Sequence, residues 1–368
     1  MIPSAYVHVP FCASICSYCA FSRSANLRLI EPWLQRITNE ITNELSAARQ
    51  KDPDFALQTV YIGGGTPSVL STEQLARLLV CLKDFFDPQG EWTIEANPES
   101  MDEEKLALCK AMGVNRLSIG VQSFDDQRLK ALGRRHTAAR ARESFEAARK
   151  AGFDNISLDL MYGFVDESLE QLNADLECFL ALDAEHLSIY SLILEPDSVL
   201  GKRSGYEEIE EEAGALQYER IEEVLQKAGY EHYEISSYAK NGRYGEHNCR
   251  IWMDGPYYGF GYGAIGRDDT GLHHFAGSLA DYVSGKGNRE YEPDDNPWFD
   301  ALMTGLRTVF GIDVEAWNDK YQKDLEKEFA GVLRKYPDGL CIENGRLKAT
   351  KKGMEILDSI LVDFLLCE

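Results

Sequence analysis

The sequence predicts an α/β protein built on a parallel sheet. Short runs of apolar, β-branched and aromatic residues alternate with longer amphipathic stretches. Six such β-α units in a row require right-handed crossovers between parallel strands, and the strands are apolar enough to be covered on both faces. This spacing fits an open doubly wound sheet as well as a barrel, and it does not separate the two.

Six strands and five helices account for the first half of the chain. The predicted strands are residues 5–9, 59–62, 91–95, 116–119, 156–160 and 186–190. The predicted helices between them are residues 32–45, 71–86, 102–112, 138–151 and 168–182. Because the carboxyl ends of parallel strands carry the functional residues in such folds, the strand ends are the places to search.

Unusual residues lie at all six strand ends and should face one mouth. They are Cys12, Cys16 and Cys19 after the first strand, Gly63-Gly64-Gly65-Thr66-Pro67 after the second, Glu95-Ala96-Asn97-Pro98 at the third, Gln122-Ser123 after the fourth, Asp159 in the fifth and Tyr190 in the sixth.

The pattern changes after Tyr190. A helix is predicted at residues 213–228 and an added strand at 230–235, followed by a Gly- and aromatic-rich segment over 242–266. A break in composition at 292–297 predicts a linker. Helices at 298–310 and 324–334, a hairpin at 341–348 with Asn344-Gly345 as its type I′ turn, and a helix from Thr350 then predict a winged-helix-like unit.

Composition limits the function classes. The net charge of −23 argues against a nucleic-acid partner, because phosphate binding needs basic surface. No apolar run approaches the ~20 residues that span a bilayer, and the amino terminus lacks the features of a signal peptide. Nine cysteines, six of them isolated, fit buried reduced thiols in a cytoplasmic protein better than disulfides. The acidic run 207–212 is expected to be a solvated helix face.

The cysteine triplet has the spacing C-x₃-C-x₂-C. A [4Fe-4S] cluster bound by Cys12, Cys16 and Cys19 would keep one iron without a protein ligand, and sites that do chemistry leave such a position open. A zinc site with His8 as fourth ligand is the main alternative, but zinc ligands usually come as two separated pairs and no second pair exists. We predict the cluster.

The residues around the triplet resemble the cluster loop of radical S-adenosylmethionine (SAM) proteins. The resemblance is strongest to the coproporphyrinogen-dehydrogenase-like group and, within it, to the branch of HemW-like heme chaperones. It is carried by Tyr6-Val7-His8-Val9-Pro10-Phe11-Cys12, Gly63-Gly64-Gly65-Thr66-Pro67, Glu95-Ala96-Asn97-Pro98, Arg116-Leu117-Ser118-Ile119-Gly120-Val121-Gln122-Ser123-Phe124, Gly133-Arg134-Arg135-His136, Leu158-Asp159-Leu160-Met161-Tyr162-Gly163, Tyr233-Glu234-Ile235-Ser236 and His247-Asn248 with Trp252.

This resemblance implies a partial (β/α)₆ TIM-like radical SAM barrel over residues 1–240, a connecting segment over 241–295 and a winged-helix-like α+β domain over 296–368. It implies a cluster on Cys12, Cys16 and Cys19, with SAM chelating the open iron through its amino and carboxylate groups. The SAM contacts implied are Tyr6, Tyr18, Gly64, Gly65, Thr66, Glu95, Gln122, Arg134 and Asp159.

Two departures weigh against coproporphyrinogen dehydrogenase itself. That enzyme has a further cysteine where this chain has Phe21, and it carries a substantial segment before the loop, which here begins within six residues of Met1. The segment His247-Asn248-Cys249-Arg250-Ile251-Trp252 instead resembles the heme-binding H-N-x-x-Y-W motif of the chaperone branch, with Ile251 at the tyrosine position. His247, Asn248 and Trp252 are therefore candidate heme contacts, and a buried structural role is the other interpretation of His247.

We therefore expect a heme chaperone that delivers heme to an apo-hemoprotein and needs the cluster and SAM to do so. An electron donor such as flavodoxin is implied, and a homodimer is left open. The alternative is a radical SAM enzyme acting on a porphyrin, such as an oxygen-independent coproporphyrinogen III dehydrogenase.

Overall fold

The computed structural model describes residues 2–203, 209–293 and 295–367. Its first half alternates strands and helices as predicted. The strands are β1 Ser4–Val9, β2 Leu57–Gly64, β3 Phe86–Ala96, β4 Arg116–Gln122, β5 Ile156–Tyr162 and β6 His186–Ser191. The helices are α1 Ile30–Lys51, α2 Thr72–Lys83, α3 Glu103–Met112, α4 Asp126–Ala131, α5 Ala138–Lys150 and α6 Leu169–Leu182.

β1 to β6 pair in chain order and all run parallel. The ends of all six strands contribute to one cavity, so the sheet curves into a barrel, and the barrel is open because β1 and β6 do not pair with each other. Side chains such as Val7, Ile62, Ile94 and Leu158 are fully or nearly fully buried against the surrounding helices. The predicted fold class, a partial (β/α)₆ barrel with a small C-terminal α+β unit, is confirmed.

Local signals explain where the helices begin and end. Ser71 and Gln74 form a reciprocal capping box at the start of α2, and Ser168 and Gln171 do the same for α6. Gly113 ends α3 in the left-handed conformation with φ +107°, which glycine adopts without steric cost. The short helix α4 was not predicted, because six residues are too few to show a clear helical period.

The chain then closes the amino-terminal end of the barrel and adds strands to both edges of the sheet. These elements are α7 Glu211–Lys227, β7 Glu231–Glu234, β8 Ser237–Ala239, α8 Glu246–Trp252 and β9 Tyr258–Phe260. β8 pairs antiparallel with β6, whereas β9 pairs parallel with β1. A small sheet follows, formed by β10 Ile265–Asp268, β11 Gly271–Phe275 and β12 Arg289–Glu292. The helix α9 Leu279–Val283 lies in the connection between β11 and β12. The Gly-rich segment thus contains regular elements that its composition did not predict.

The C-terminal unit has its own apolar core, which extends from Leu302 to Phe364. Its elements are α10 Pro297–Gly305, β13 Ile312–Asp313, α11 Val314–Tyr321, α12 Leu325–Glu328, α13 Ala330–Lys335, β14 Leu340–Glu343, β15 Arg346–Ala349, α14 Lys351–Glu355 and α15 Leu357–Leu366. The predicted hairpin is present, and Asn344 and Gly345 both have positive φ, as a type I′ turn requires.

Two predictions about this unit need correction. The helix expected over 298–310 ends at Gly305, and the helix expected over 324–334 is interrupted at Phe329. Phe329 is buried between the two short helices, so the apolar core there overrides the weak local periodicity. In addition, α11 was not predicted. The division of the chain at residues 240 and 295 stays a prediction, and Asp294 of the expected linker lies outside the described residues.

Other sequence expectations have mixed outcomes. All nine cysteines are free, as expected, but of the six isolated ones only Cys109 and Cys249 are buried, and Cys367 is exposed. Glu210, Glu211 and Glu212 are exposed at the start of α7, where carboxylates favour the helix dipole, and the preceding residues 207–208 lie outside the described part. Among the described residues, no helix combines the length and the apolar character that crossing a membrane requires.

Candidate functional site

A cavity of about 500 Å³ opens at the carboxyl ends of the barrel strands. A volume of this size suits a small-molecule ligand. Its wall includes Cys12, Cys16, Tyr18, Cys19, Gly64, Gly65, Thr66, Glu95, Asn97, Gln122, Arg134, Asp159 and Tyr190. The structure thus brings the unusual residues of all six strand ends to one mouth, as predicted.

The cysteine loop is fixed to the barrel by main-chain hydrogen bonds. Cys12 donates to the carbonyl of Ser24 at 3.1 Å, and Ser17 donates to the carbonyl of Leu132 at 3.0 Å. The Ser17 carbonyl in turn accepts from Leu200 at 2.7 Å. The loop therefore holds its shape through contacts with residues far along the chain.

Two of the three thiols receive a side-chain hydrogen bond. Thr66 Oγ1 donates to Cys12 Sγ at 3.5 Å, and Arg134 Nη1 donates to Cys16 Sγ at 3.6 Å. Burial raises the pKa of the Cys12 and Cys19 thiols. A metal cluster offsets this cost because the thiolate is the ligand, and donors at the sulfurs stabilise its charge.

Cys12, Cys16 and Cys19 all line the same cavity, as the ligands of one [4Fe-4S] cluster must. In the part of the chain that the structure describes, no three His, Cys, Asp or Glu side chains converge as ligands of one ion would. The cysteines of a [4Fe-4S] cluster each bind a different iron, so they need not converge on one point. His8 is unsuited as a zinc ligand, because Nδ1 accepts from Tyr6 at 3.0 Å and Nε2 donates to the Ser22 carbonyl at 2.8 Å.

Glu95 presents a carboxylate at the floor of the cavity. The Tyr61 hydroxyl donates a hydrogen bond to Oε1 at 2.8 Å, and the main-chain N–H of Gly64 donates one to Oε2 at 3.0 Å. Burial raises the pKa of Glu95 to about 7 in spite of these two bonds. A cationic ligand group beside Glu95 would favour its charged form, so the site suits the ammonium or sulfonium of SAM.

Asp159 on β5 is a second half-buried carboxylate in the wall. Ser118 Oγ donates to its two oxygens at 3.0 and 3.3 Å. Burial raises the pKa of Asp159 to about 6. A carboxylate that accepts from hydroxyls is suited to the ribose hydroxyls of a nucleoside, which matches the role that the resemblance implies.

Gln122 ends β4 in an unusual backbone conformation. Its φ is +71°, and the register between β4 and β5 shifts between Gly120 and Gln122. Such a bulge redirects a side chain, and it is common next to functional sites. Tyr190 donates to Gln122 Oε1 at 2.7 Å and so holds the amide at the cavity wall.

Arg134 has an unused donor. Nη2 donates to Asn97 Oδ1 at 2.7 Å and to the Gly120 carbonyl at 2.6 Å, while the buried Nε has no hydrogen-bond partner among the residues that the structure describes. A buried guanidinium nitrogen without an acceptor is costly unless a ligand supplies one. Arg134 also lines the cavity wall, where its positive charge suits a carboxylate ligand such as that of SAM.

Tyr18 lines the cavity, but Tyr6 does not. The Tyr6 hydroxyl is engaged by His8, and its ring lies 6.1 Å from that of Tyr61, inside the barrel. Sequence reasoning also did not single out Tyr61, Ser118 and Ser188 as wall residues. The signal that could have found them is the strand period of two, since Ser118 and Gly120, like Ser188 and Tyr190, point to the same face.

The residues assigned to heme lie on α8, away from this cavity. His247 is only 1% exposed, and its Nδ1 is hydrogen-bonded to Thr59 Oγ1 at 2.9 Å. Asn248 is exposed, and Trp252 is half-buried with the Arg307 guanidinium 5.7 Å from its ring centre. Burial raises the pKa of Cys249 to about 12, so it is a protonated thiol in this conformation. The structure does not place the three candidate heme residues on one accessible face.

A partial parallel barrel whose first loop carries three cysteines, beside a cavity that holds two carboxylates and an arginine, is the arrangement of a radical SAM protein. The sequence model described as the Radical SAM superfamily matches residues 6–179, and the model of the HemN C-terminal domain matches residues 293–356.

Curated relatives match nearly the whole chain. The heme chaperone HemW of Bacillus subtilis is 36% identical over 93% of this chain and 93% of its own length. The heme chaperone HemW of Lactococcus lactis is 34% identical over 99% of this chain and 97% of its own length. The chain belongs to the HemW family of radical SAM proteins.

A solved structure also shares the fold. Coproporphyrinogen III oxidase (HemN) from Escherichia coli, a radical SAM enzyme, superposes with a TM-score of 0.81 at 21% identity. The match covers 99% of this chain and 90% of that one. At this identity the likeness shows that both chains have the same architecture.

Proposed function

We propose that this protein is a cytoplasmic heme chaperone that binds heme, a [4Fe-4S] cluster and SAM, and delivers the heme to an apo-hemoprotein. Cys12, Cys16 and Cys19 hold the cluster. Glu95 and Arg134 hold the amino and carboxylate ends of SAM. A cluster with SAM on its open iron supplies one-electron chemistry, and the electron comes from a donor such as flavodoxin.

The observation that carries the proposal is the convergence of these residues in one cavity. Cationic and anionic ligand groups each find a half-buried partner of opposite charge there, in Glu95 and Arg134. The relatives named heme chaperones extend over the same length of chain, which supports heme as the cargo.

Heme binding is proposed at α8. Asn248, Trp252 and the exposed Met253 form its accessible face. Ligation of heme iron by His247 requires α8 to move away from the barrel, since the side chain is buried and hydrogen-bonded. The chaperone function therefore includes a conformational change at this helix.

The test is an anaerobic reconstitution followed by heme titration and transfer to an apo-cytochrome. Cys12→Ala, Cys16→Ala and Cys19→Ala should each lose the cluster absorbance and transfer, yet keep heme binding. Cys341→Ala, outside the loop, is the control and should behave as the parent protein. His247→Ala should weaken the Soret band. Loss of heme binding in all three cysteine variants would contradict two separate sites.

A second candidate is a radical SAM enzyme that acts on a porphyrin. The observation that favours it is the apolar part of the cavity wall, formed by Phe21, Met161, Leu192 and Ile193, of which Phe21 and Ile193 are 69% and 66% exposed. Incubation with SAM, dithionite and coproporphyrinogen III decides between the two. Formation of protoporphyrinogen would support the enzyme, and its absence together with heme transfer would support the chaperone.

A further inference from the structure

Helix α8 closes the amino-terminal end of the barrel, directly beneath the cavity. The carboxylate of Glu91 on β3 accepts from the main-chain N–H of Glu246 at 3.0 Å and of His247 at 3.1 Å. Gly245 donates to the Tyr233 hydroxyl at 3.0 Å. These bonds use the free N–H groups at the start of the helix and hold it inside the barrel.

A continuous set of contacts joins His247 to the cavity. The His247 ring stacks on Tyr61 with ring centres 5.4 Å apart and 30° between planes. The Tyr61 hydroxyl donates to Glu95 at 2.8 Å, and Glu95 accepts from Gly64 at the cavity wall. Thr59, which bonds His247, and Gly64 are roughly 16 Å apart along β2 at about 3.3 Å per residue. The contacts therefore run the depth of the barrel.

We propose that Tyr61 and His247 are positioning residues for Glu95, so that the docked helix α8 increases the affinity of the cavity for SAM. Because heme ligation by His247 requires α8 to leave the barrel, heme binding and SAM binding then oppose one another. The opposition between heme and SAM rests on the proposed heme function, whereas the positioning of Glu95 by Tyr61 and His247 does not. By linkage, each ligand must weaken the other by the same factor.

The physical basis is the charge state and orientation of Glu95. Without the stacked His247 ring, Tyr61 has space to turn, and its hydroxyl no longer points at the carboxylate. That hydrogen bond lowers the pKa of Glu95, against the burial that raises it. The other charged or titratable groups that face Glu95 are Asp159, Arg116, Tyr6 and Tyr190. Loss of the hydroxyl should thus leave Glu95 protonated to a higher pH, in a form that does not attract a cation.

The test measures SAM affinity against pH in the anaerobically reconstituted protein. Tyr61→Phe keeps the stacked ring and removes the hydroxyl. We expect roughly ten- to hundredfold weaker SAM binding near neutral pH and a pH midpoint shifted upward, with affinity partly recovered at alkaline pH. An unchanged midpoint in Tyr61→Phe would overturn the positioning role, because a purely structural defect does not move it.

His247→Ala should also weaken SAM binding, although it lies outside the cavity wall. Glu246→Gln on the same helix is the matched control, since its side chain is exposed and the main-chain N–H that bonds Glu91 is retained. Thr59→Val removes only the hydrogen bond to His247 and serves where His247→Ala folds poorly. Equal SAM affinity in His247→Ala, Thr59→Val and the control would overturn the role of α8.

The heme arm compares SAM affinity with and without hemin, and hemin affinity with and without SAM. In the parent protein we expect hemin to lower the affinity for SAM, and SAM to lower the affinity for hemin, by the same factor. Unchanged affinities in the presence of bound hemin would overturn the opposition between the ligands. Absence of any hemin binding would contradict the proposed function, while the pH shift in Tyr61→Phe would still support the positioning role.

Discussion

Arg134 Nη2 donates a hydrogen bond to Asn97 Oδ1 at 2.7 Å, which joins the segment after α4 to the end of β3. The same nitrogen donates to the Gly120 carbonyl at 2.6 Å. The guanidinium is thus held in place at the cavity wall before a ligand arrives. Groups that are ordered in advance lose little entropy on binding, so this pair favours ligand affinity.

Replacement of Arg134 by lysine should weaken SAM binding by roughly ten- to hundredfold. Lysine keeps the positive charge but lacks the planar fork that bonds Asn97, Gly120 and a carboxylate together. Equilibrium dialysis with the reconstituted protein measures the effect. Arg334→Lys, exposed on the C-terminal unit, is the control. A lysine variant with parental affinity would show that the fork has no part in binding.

Thr66→Val should make the midpoint potential of the cluster more negative, by tens of millivolts. The Thr66 hydroxyl donates to Cys12 Sγ, and such bonds stabilise the extra electron of the reduced cluster. A redox titration followed by electron paramagnetic resonance gives the potential. Ser68→Ala is the control, because it removes a neighbouring hydroxyl that bonds Ser100 and Asn97 but no sulfur. The cluster of this variant should have the same midpoint potential as that of the parent.

Gly120→Ala should lower both SAM affinity and stability. A Cβ at this position would lie 2.9 Å from Gln122 Nε2 and 3.3 Å from Arg134 Nη2 and Asn97 Oδ1. Overpacking of this kind typically costs about 1–3 kcal/mol of unfolding free energy.

Gly331→Ala is the control for this substitution, since a Cβ there meets nothing within 4 Å. Because Gly331 lies in α13, alanine should stabilise the protein by about 0.5–1 kcal/mol. Denaturant titration compares the two variants. Equal unfolding free energies for both would contradict the crowding at Gly120.

Acidification should destabilise the protein through His247. Burial lowers the pKa of His247 to about 3 from its ordinary value of 6.5, so the unfolded chain binds a proton that the folded chain does not. The contribution of neutral His247 to the free energy of unfolding is fully present above pH 6.5. Between pH 6.5 and 3 it falls by about 1.4 kcal/mol for each unit that the pH is lowered.

His247→Gln should remove this share of the pH dependence. Burial also lowers the pKa values of His8 and His186, but both residues remain in the variant. Glu95 and Asp159 remain as well, and their raised pKa values change stability with pH in the opposite direction. The difference between parent and variant therefore isolates His247. This difference is measured from the unfolding free energies of both proteins at several pH values. If the two plots of unfolding free energy against pH run parallel, His247 is not buried as a neutral ring.

Much of the barrel could be predicted because its signals are local. The parallel strands are short apolar runs, Ser71 caps α2, and Asn344-Gly345 forms the turn of its hairpin. The sheet of β10, β11 and β12 was not predicted, because its strands are short and rich in charged and polar residues. Their pairing depends on neighbours in space rather than on their own pattern.

By itself the sequence determined the parallel α/β order and the cysteine spacing, and it placed unusual residues at six strand ends, since periodicity and spacing are properties of the chain. Only the tertiary structure decided what those residues contact. The pairing of β2 with β3 brings Tyr61 to Glu95, and the packing of the segment after α4 against the end of β3 brings Arg134 to Asn97. The tertiary structure also places His247 beneath Tyr61, at the far end of the barrel from the cysteines. Such pairs depend on twist and packing between distant segments, which no local pattern encodes.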